Sequence, residues 1–139
     1  MKSITRIVSA AVLGVLMLAA GTALSAKAEN EQHTNQFAGA KANTGMAIFF
    51  HEGSKAMLKV TDDFKVPDTP APTWRVIDSK GNIYTLDAFK IKDSGILGTN
   101  TEKRQISIPS YIHDIAKVQV YCAWAQVLLG EASFSAPAK

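Results

Sequence analysis

The sequence contains one cysteine, and a thiol suits redox chemistry or metal binding better than any other side chain here. The strand period of two puts Cys122 on the same face as Val118 and Val120. That face is the expected core face, where a free cysteine packs as a small inert hydrophobe. Cys122 also ends its strand beside Tyr121 and Trp124, where a bend would expose the sulfur for electron exchange or for ligation of a metal or haem. Both interpretations stay open, and Tyr121 and Trp124 are the residues predicted to surround the sulfur.

The other side chains that bind metals are spread along the chain. The three histidines are His33, His51 and His113. No two of them have the close spacing that is typical of a zinc site, and a metal site shared by His51, His113 and Cys122 is the weaker alternative. Asp62 and Asp63 carry the carboxylates that a hard cation prefers. A pair of acidic residues ahead of an aromatic residue is, however, more typical of a turn at the end of a strand.

The N-terminal residues have the order of an export signal. Lys2 and Arg6 give a positive start, residues 7–23 are apolar, and Ala26-Lys27-Ala28 has the form of a cleavage site. We therefore expect residues 1–28 to be a signal peptide that is removed, leaving an exported domain in a periplasm or outside the cell. The alternative is an uncleaved anchor, because the apolar stretch approaches the length of a spanning helix.

Removal of the signal changes the charge of the protein. The fifteen lysines and arginines fall to twelve, against twelve aspartates and glutamates, so the mature domain is close to neutral. A neutral domain lacks the basic footprint of a nucleic-acid-binding protein. The compartment also makes Cys122 unusual, since an oxidising environment favours paired cysteines and this chain has no second one.

The mature chain is dominated by strand patterns. We expect residues 29–36 to form a flexible tail and residues 37–135 to form one domain. Short apolar alternations separated by turn residues predict about seven to nine strands, including two hairpins and a final pair within residues 118–134, with one helical turn at residues 111–116. No amphipathic helix of a dozen residues is predicted. The expected fold is all-β, an antiparallel β-sandwich or barrel-like sandwich.

An ordered set of motifs resembles the DM-thirteen domain, an extracellular domain found beside DOMON domains. The strongest match is at the C-terminus, in Cys122, Ala125, Val127, Leu129, Gly130, Ala132 and Phe134. Weaker matches are Phe37, Gly45, Leu58, Phe64, Pro72-Thr73-Trp74, Leu97-Gly98, Gln105-Ile106-Ser107-Ile108-Pro109 and Asp114. Two departures are Ala71, where the family usually has glycine, and Ala125, where it usually has phenylalanine. The resemblance implies a β-sandwich and an electron-transfer role centred on Cys122.

Two functions from different classes follow. The first is an exported redox or electron-transfer domain in which Cys122 is the reactive thiol or a cofactor ligand, working with a redox or envelope protein. The second is a non-catalytic binding or assembly module of the cell envelope, in which Cys122 only fills the core. A hydrolytic enzyme is disfavoured, because no nucleophile and base pair is recognisable. The residues identify no cofactor, and we expect no membrane span after cleavage of the signal.

Overall fold

The structure is a computed structural model that describes residues 30–92 and 100–139. The predicted signal peptide and the matched pair Leu97-Gly98 lie outside the described residues. The strands are β1 (Gln32–Gln36), β2 (Met46–Glu52), β3 (Lys55–Val60), β4 (Pro72–Ile77), β5 (Ile83–Ala88), β6 (Lys90–Lys92), β7 (Asn100–Glu102), β8 (Gln105–Ser107), β9 (Ile115–Cys122) and β10 (Val127–Ala138). Within these ranges no helix forms, so none is long and apolar enough to cross a membrane.

Eight strands form one antiparallel sheet in the order β5-β4-β9-β10-β1-β2-β3-β8. The sheet curls into a nearly closed, barrel-like sandwich, and β6 and β7 pair separately. This architecture confirms the predicted all-β class. The longest pairing joins β9 to β10, where Cys122 lies opposite Val127 and Ile115 lies opposite Ala138.

A chain of aromatic rings fills the interior. Trp74 stacks on Phe89 with ring centroids 4.3 Å apart, and Phe64 follows at 5.5 Å from Phe89. Phe37 continues the row at 5.1 Å from Phe64. The indole nitrogen of Trp74 donates to the carbonyl of Lys103 at 2.9 Å, so its one polar atom is satisfied in the core. These contacts hold the strands of the sheet around one core.

The predicted pairs of strands are present. β2 and β3 form a hairpin around Gly53-Ser54, and Gly53 adopts the positive φ of 59° that such a tight turn needs. β4 and β5 form the second hairpin. β9 and β10 are the predicted final pair, joined by the turn at residues 123–126.

The predicted flexible tail is wrong for residues 32–36, which form β1 between β10 and β2. Thr34 is the one buried residue of this strand, and its hydroxyl accepts a hydrogen bond from the Ala47 amide at 2.9 Å. The other side chains are polar and exposed, so hydrophobicity does not reveal the strand. Backbone hydrogen bonds to its two neighbours hold it in place.

The predicted helical turn at residues 111–116 is also wrong. The Ile112 amide donates to the carbonyl of Pro109 at 3.0 Å, which makes a single turn that does not continue. Ile115 and Ala116 already belong to β9, and Ile115 pairs with Ala138 of β10. Pairing in the sheet satisfies backbone groups that a helix would otherwise have used.

Candidate functional site

Cys122 is the last residue of β9 and lies between two neighbouring strands. Pro72 of β4 is opposite it on one side and Val127 of β10 on the other. The residue is 1% exposed, on the core face that it shares with Val118 and Val120. The predicted strand face is therefore confirmed, and the sulfur is closed off from bulk solvent.

A tight turn at residues 123–126 folds back over the sulfur. The Gln126 amide donates to the carbonyl of Cys122 at 2.8 Å, and Gln126 has the positive φ of 56°. The Ala123 amide donates to the carbonyl of Ala71 at 3.0 Å, which ties the turn to the loop before β4. This path brings the Ala125 amide to 3.5 Å from the Cys122 sulfur, to which it donates a hydrogen bond.

The polar groups around the sulfur are hydrogen-bond donors. The Ala125 amide lowers the pKa of the Cys122 thiol below its ordinary value, against burial, which raises it. The Ala71 and Trp124 amides lower this pKa further, and the Thr69 hydroxyl adds the weakest effect. Converging backbone N–H groups stabilise a negative charge, so the surroundings favour the thiolate. We call these donors of residues 69, 71, 124 and 125 the sulfur nest.

Thr69 has an unusual environment. Its hydroxyl oxygen is buried, and it is the one such side-chain atom in the described ranges without a hydrogen-bond partner of ordinary geometry. The sulfur is therefore a weak or distant partner for this hydroxyl, and the Ala125 contact, which has a regular distance, is the firmer part of the nest.

The two aromatic residues predicted to surround the sulfur lie elsewhere. Tyr121 alternates with Cys122 along β9, and the guanidinium group of Arg75 lies 4.0 Å from the centre of its ring. Trp124 is 77% exposed, so its indole is mostly in solvent. Trp124 contributes to the sulfur nest through its backbone N–H alone.

Two residues that the sequence marked only as departures from the DM-thirteen pattern, Ala71 and Ala125, act here through their backbone. Ala71 and Ala125 have no functional side chain, so no motif of reactive residues can include them. Ala71 and Thr69 belong to the proline-containing loop between β3 and β4. The resemblance had placed Ala125 three residues after Cys122, and the turn at residues 123–126 brings its amide back to the sulfur.

Two of the three candidate metal ligands, His51 and His113, line one cleft, and Cys122 is not among its lining residues. In the described part of the chain, no three residues among His, Cys, Asp and Glu form a group able to hold a metal ion. His33 lies in β1, 3.6 Å from a carboxylate oxygen of Glu31, and His51 is an exposed residue near the end of β2. Asp62 and Asp63 lie in a turn after β3, where the Thr61 hydroxyl donates to Asp63 at 2.5 Å. This position confirms the predicted turn.

We compared the chain with known protein families, with curated proteins and with solved structures, and none of the three comparisons finds a match.

Proposed function

We propose that this protein is an exported redox domain that exchanges electrons through the Cys122 sulfur. The observation that supports this most directly is the hydrogen bond from the Ala125 amide to the sulfur at 3.5 Å. A thiolate is the nucleophilic form of cysteine, and N–H donors around the sulfur favour it. The resemblance to the DM-thirteen domain and the export signal predicted for residues 1–28 support the same role and an extracytoplasmic location.

The proposed reaction is thiol–disulfide exchange with a partner that carries a disulfide. The Cys122 thiolate attacks one sulfur of that disulfide, a new sulfur–sulfur bond forms, and the partner's second sulfur leaves as a thiolate. The proton lost by the Cys122 thiol passes to water. A thiolate of a second protein that carries a dithiol then attacks the Cys122 sulfur, and the first partner's remaining sulfur leaves as a thiolate. The other thiolate of that dithiol displaces Cys122 and closes a disulfide in the second protein, so two electrons have passed from the dithiol to the first partner's disulfide. Because the sulfur is 1% exposed, the turn at residues 123–126 must open for each exchange.

The test is the rate at which the native protein reacts with a nitrobenzoate disulfide, which releases a coloured thiolate. We expect reaction faster than global unfolding, with a midpoint pH below the ordinary thiol value of 9.0. In urea the midpoint should return to the ordinary value. The Cys122→Ser variant is the control for the sulfur and should release no colour.

The second candidate is the binding or assembly module with a structural cysteine. The near-complete burial of Cys122 beside Val118 and Val120 favours it. It predicts a thiol that stays inert until the protein unfolds, and a Cys122→Ala variant that keeps its function in the host. A native reaction rate equal to the unfolding rate would thus overturn the redox proposal and leave this one.

A further inference from the structure

A cleft opens at the end of the barrel opposite Cys122. It has a volume of about 320 Å³ and lies between the tip of the β2–β3 hairpin, the loop before β9 and the end of β10. β9 has eight residues, so its two ends are about 23 Å apart at the usual rise of a strand. The cleft and the sulfur nest are therefore separate sites. The volume of the cleft lies at the lower end of the range for pockets that bind small molecules.

The floor of the cleft is apolar and belongs to the core. Phe49, Ile108, Ile112 and Ile115 line it, and each of them is buried in the packed interior. The amide of Ile108 donates to the carbonyl of Ala56 at 2.8 Å, which joins the floor to β3. Ile108 and Ile112 keep 8% and 7% of their surface exposed, and a ligand with a hydrocarbon body would displace water from these parts, which is favourable.

The rim of the cleft carries groups that attract an anion. Lys55, His51 and His113 are exposed around the opening, and Lys139 lies beside them. In the described ranges Lys55 forms no ion pair, so its ammonium group is available to a ligand.

The acidic side chain of the rim is Asp114, and it is already engaged. Its carboxylate accepts hydrogen bonds from the amide of Ser79 at 2.8 Å and from the Ser79 hydroxyl at 2.5 Å. These bonds direct the negative charge toward the β4–β5 turn. Asp114 lines the cleft as well. Besides the hydrogen bonds from Ser79, the charge of Lys139 also lowers the pKa of this carboxyl group, so Lys55 is the lysine of the rim that is left for a ligand.

We propose that this cleft binds a small carboxylate with an apolar body. The hydrocarbon part lies on the isoleucine and phenylalanine floor, and the carboxylate lies at the rim beside Lys55. The positive charge at the rim favours an anion. The apolar floor favours an anion that carries a hydrocarbon chain or ring over one that has none.

The test is titration of the protein with octanoate, followed by amide NMR. We expect saturable shifts at Ala56, Ile108 and Ile112, with no change at Cys122. Acetate has the same charge without the chain and should bind at least about tenfold more weakly, because it loses several buried CH₂ groups. Octanamide has the chain without the charge and should bind about three- to tenfold more weakly.

Matched variants locate the contact. Lys55→Gln should weaken octanoate binding about three- to tenfold, and His113→Gln should weaken it to a smaller extent. Lys41→Gln removes the same charge from an exposed site outside the cleft and should leave binding within about twofold. Because Lys55 is exposed, we expect the Lys55→Gln variant to fold. A dispersed amide NMR spectrum of the variant verifies this.

Three results would overturn the proposal. They are the absence of saturable shifts at the cleft, equal binding of octanoate and octanamide, and equal loss in the Lys55→Gln and Lys41→Gln variants. None of these results depends on the reactivity of Cys122, so the redox proposal and the cleft can fail independently.

Discussion

The two ends of β9 differ in how far they are open to solvent. At its C-terminal end a tight turn closes over Cys122 and leaves the residue 1% exposed, with backbone amides as its polar surroundings. At its N-terminal end, a longer loop from Ile108 to Asp114 precedes the strand. This loop forms one wall of a cleft of about 320 Å³. The comparison shows that a short turn buries a sulfur atom, whereas a longer loop leaves an open cleft. Access to the sulfur requires local opening, and access to the cleft does not.

The largest expected effect comes from a pair of glycines, one toward each end. A Cβ added at Gly130 would collide with the carbonyl oxygen of Ala42 and lie 2.6 Å from the Ala42 Cβ. Gly53, in the hairpin beside the cleft, has open space around it and only a positive φ of 59°. We expect Gly130→Ala to lower the free energy of unfolding by about 3 kcal/mol and Gly53→Ala by about 1 kcal/mol. Urea unfolding measures both, and equal losses would show that the close approach at Gly130 can relax.

The second largest effect is expected at the cleft end, for the two hydrogen bonds that Ser79 donates to the Asp114 carboxylate, which we call the polar tether. Asp114→Asn weakens the hydrogen bonds to Ser79, and we expect the Ser79 amide to exchange with solvent about tenfold faster. Hydrogen bonds from Ser79 lower the pKa of Asp114 below 3.8. A lowered pKa in the folded state stabilises the protein above the ordinary value, and this contribution is lost as the pH falls through the folded value.

The stabilisation by the polar tether should depend on pH, and this dependence provides a control. The difference in urea midpoint between the natural chain and Asp114→Asn should therefore be present at pH 6 and shrink below pH 3.8. Asp62→Asn changes an exposed aspartate in the turn after β3 and should leave Ser79 exchange unaltered. A difference that persists unchanged in acid would show that the tether does not depend on the charge of Asp114.

The smallest effect is expected at the sulfur end, in Trp124. Because this side chain is 77% exposed, Trp124→Ala should change the free energy of unfolding by less than about 0.5 kcal/mol. The rate of Cys122 alkylation should stay within about twofold, since the backbone N–H of residue 124 remains. A tenfold faster alkylation would instead assign the indole a role in closing the turn.

Much of this architecture could be predicted, because its strands alternate in the usual way. The pattern that placed Cys122 with Val118 and Val120 was correct, as were the two hairpins and the final pair of strands. β1 was missed because its residues are polar and one of its two partners, β10, is distant in sequence. Local patterns carry no information about partners so far along the chain.

The candidate sites were harder to predict than the fold. The chemistry of Cys122 was recognisable from its residue type, but its sulfur nest consists of amides from Ala71, Trp124 and Ala125, which only the folded turn brings together. Phe49, Lys55 and Ile112 come from three segments and meet only at the end of the barrel. Pockets of this kind depend on tertiary packing, so no spacing in the sequence reveals them.

The pairing of β1 with β10 also has a consequence for the order of folding. Thr34, near the start of the described chain, pairs with Phe134, near its end. A ribosome releases β1 before β10, so β1 must wait for this partner until about 100 further residues have been made. In the part of the chain that the structure describes, β1 is the strand that lies between the two halves of the sheet, β5-β4-β9-β10 and β2-β3-β8. The β1–β10 pairing therefore forms later than the β2–β3 hairpin, whose two strands are neighbours in the chain.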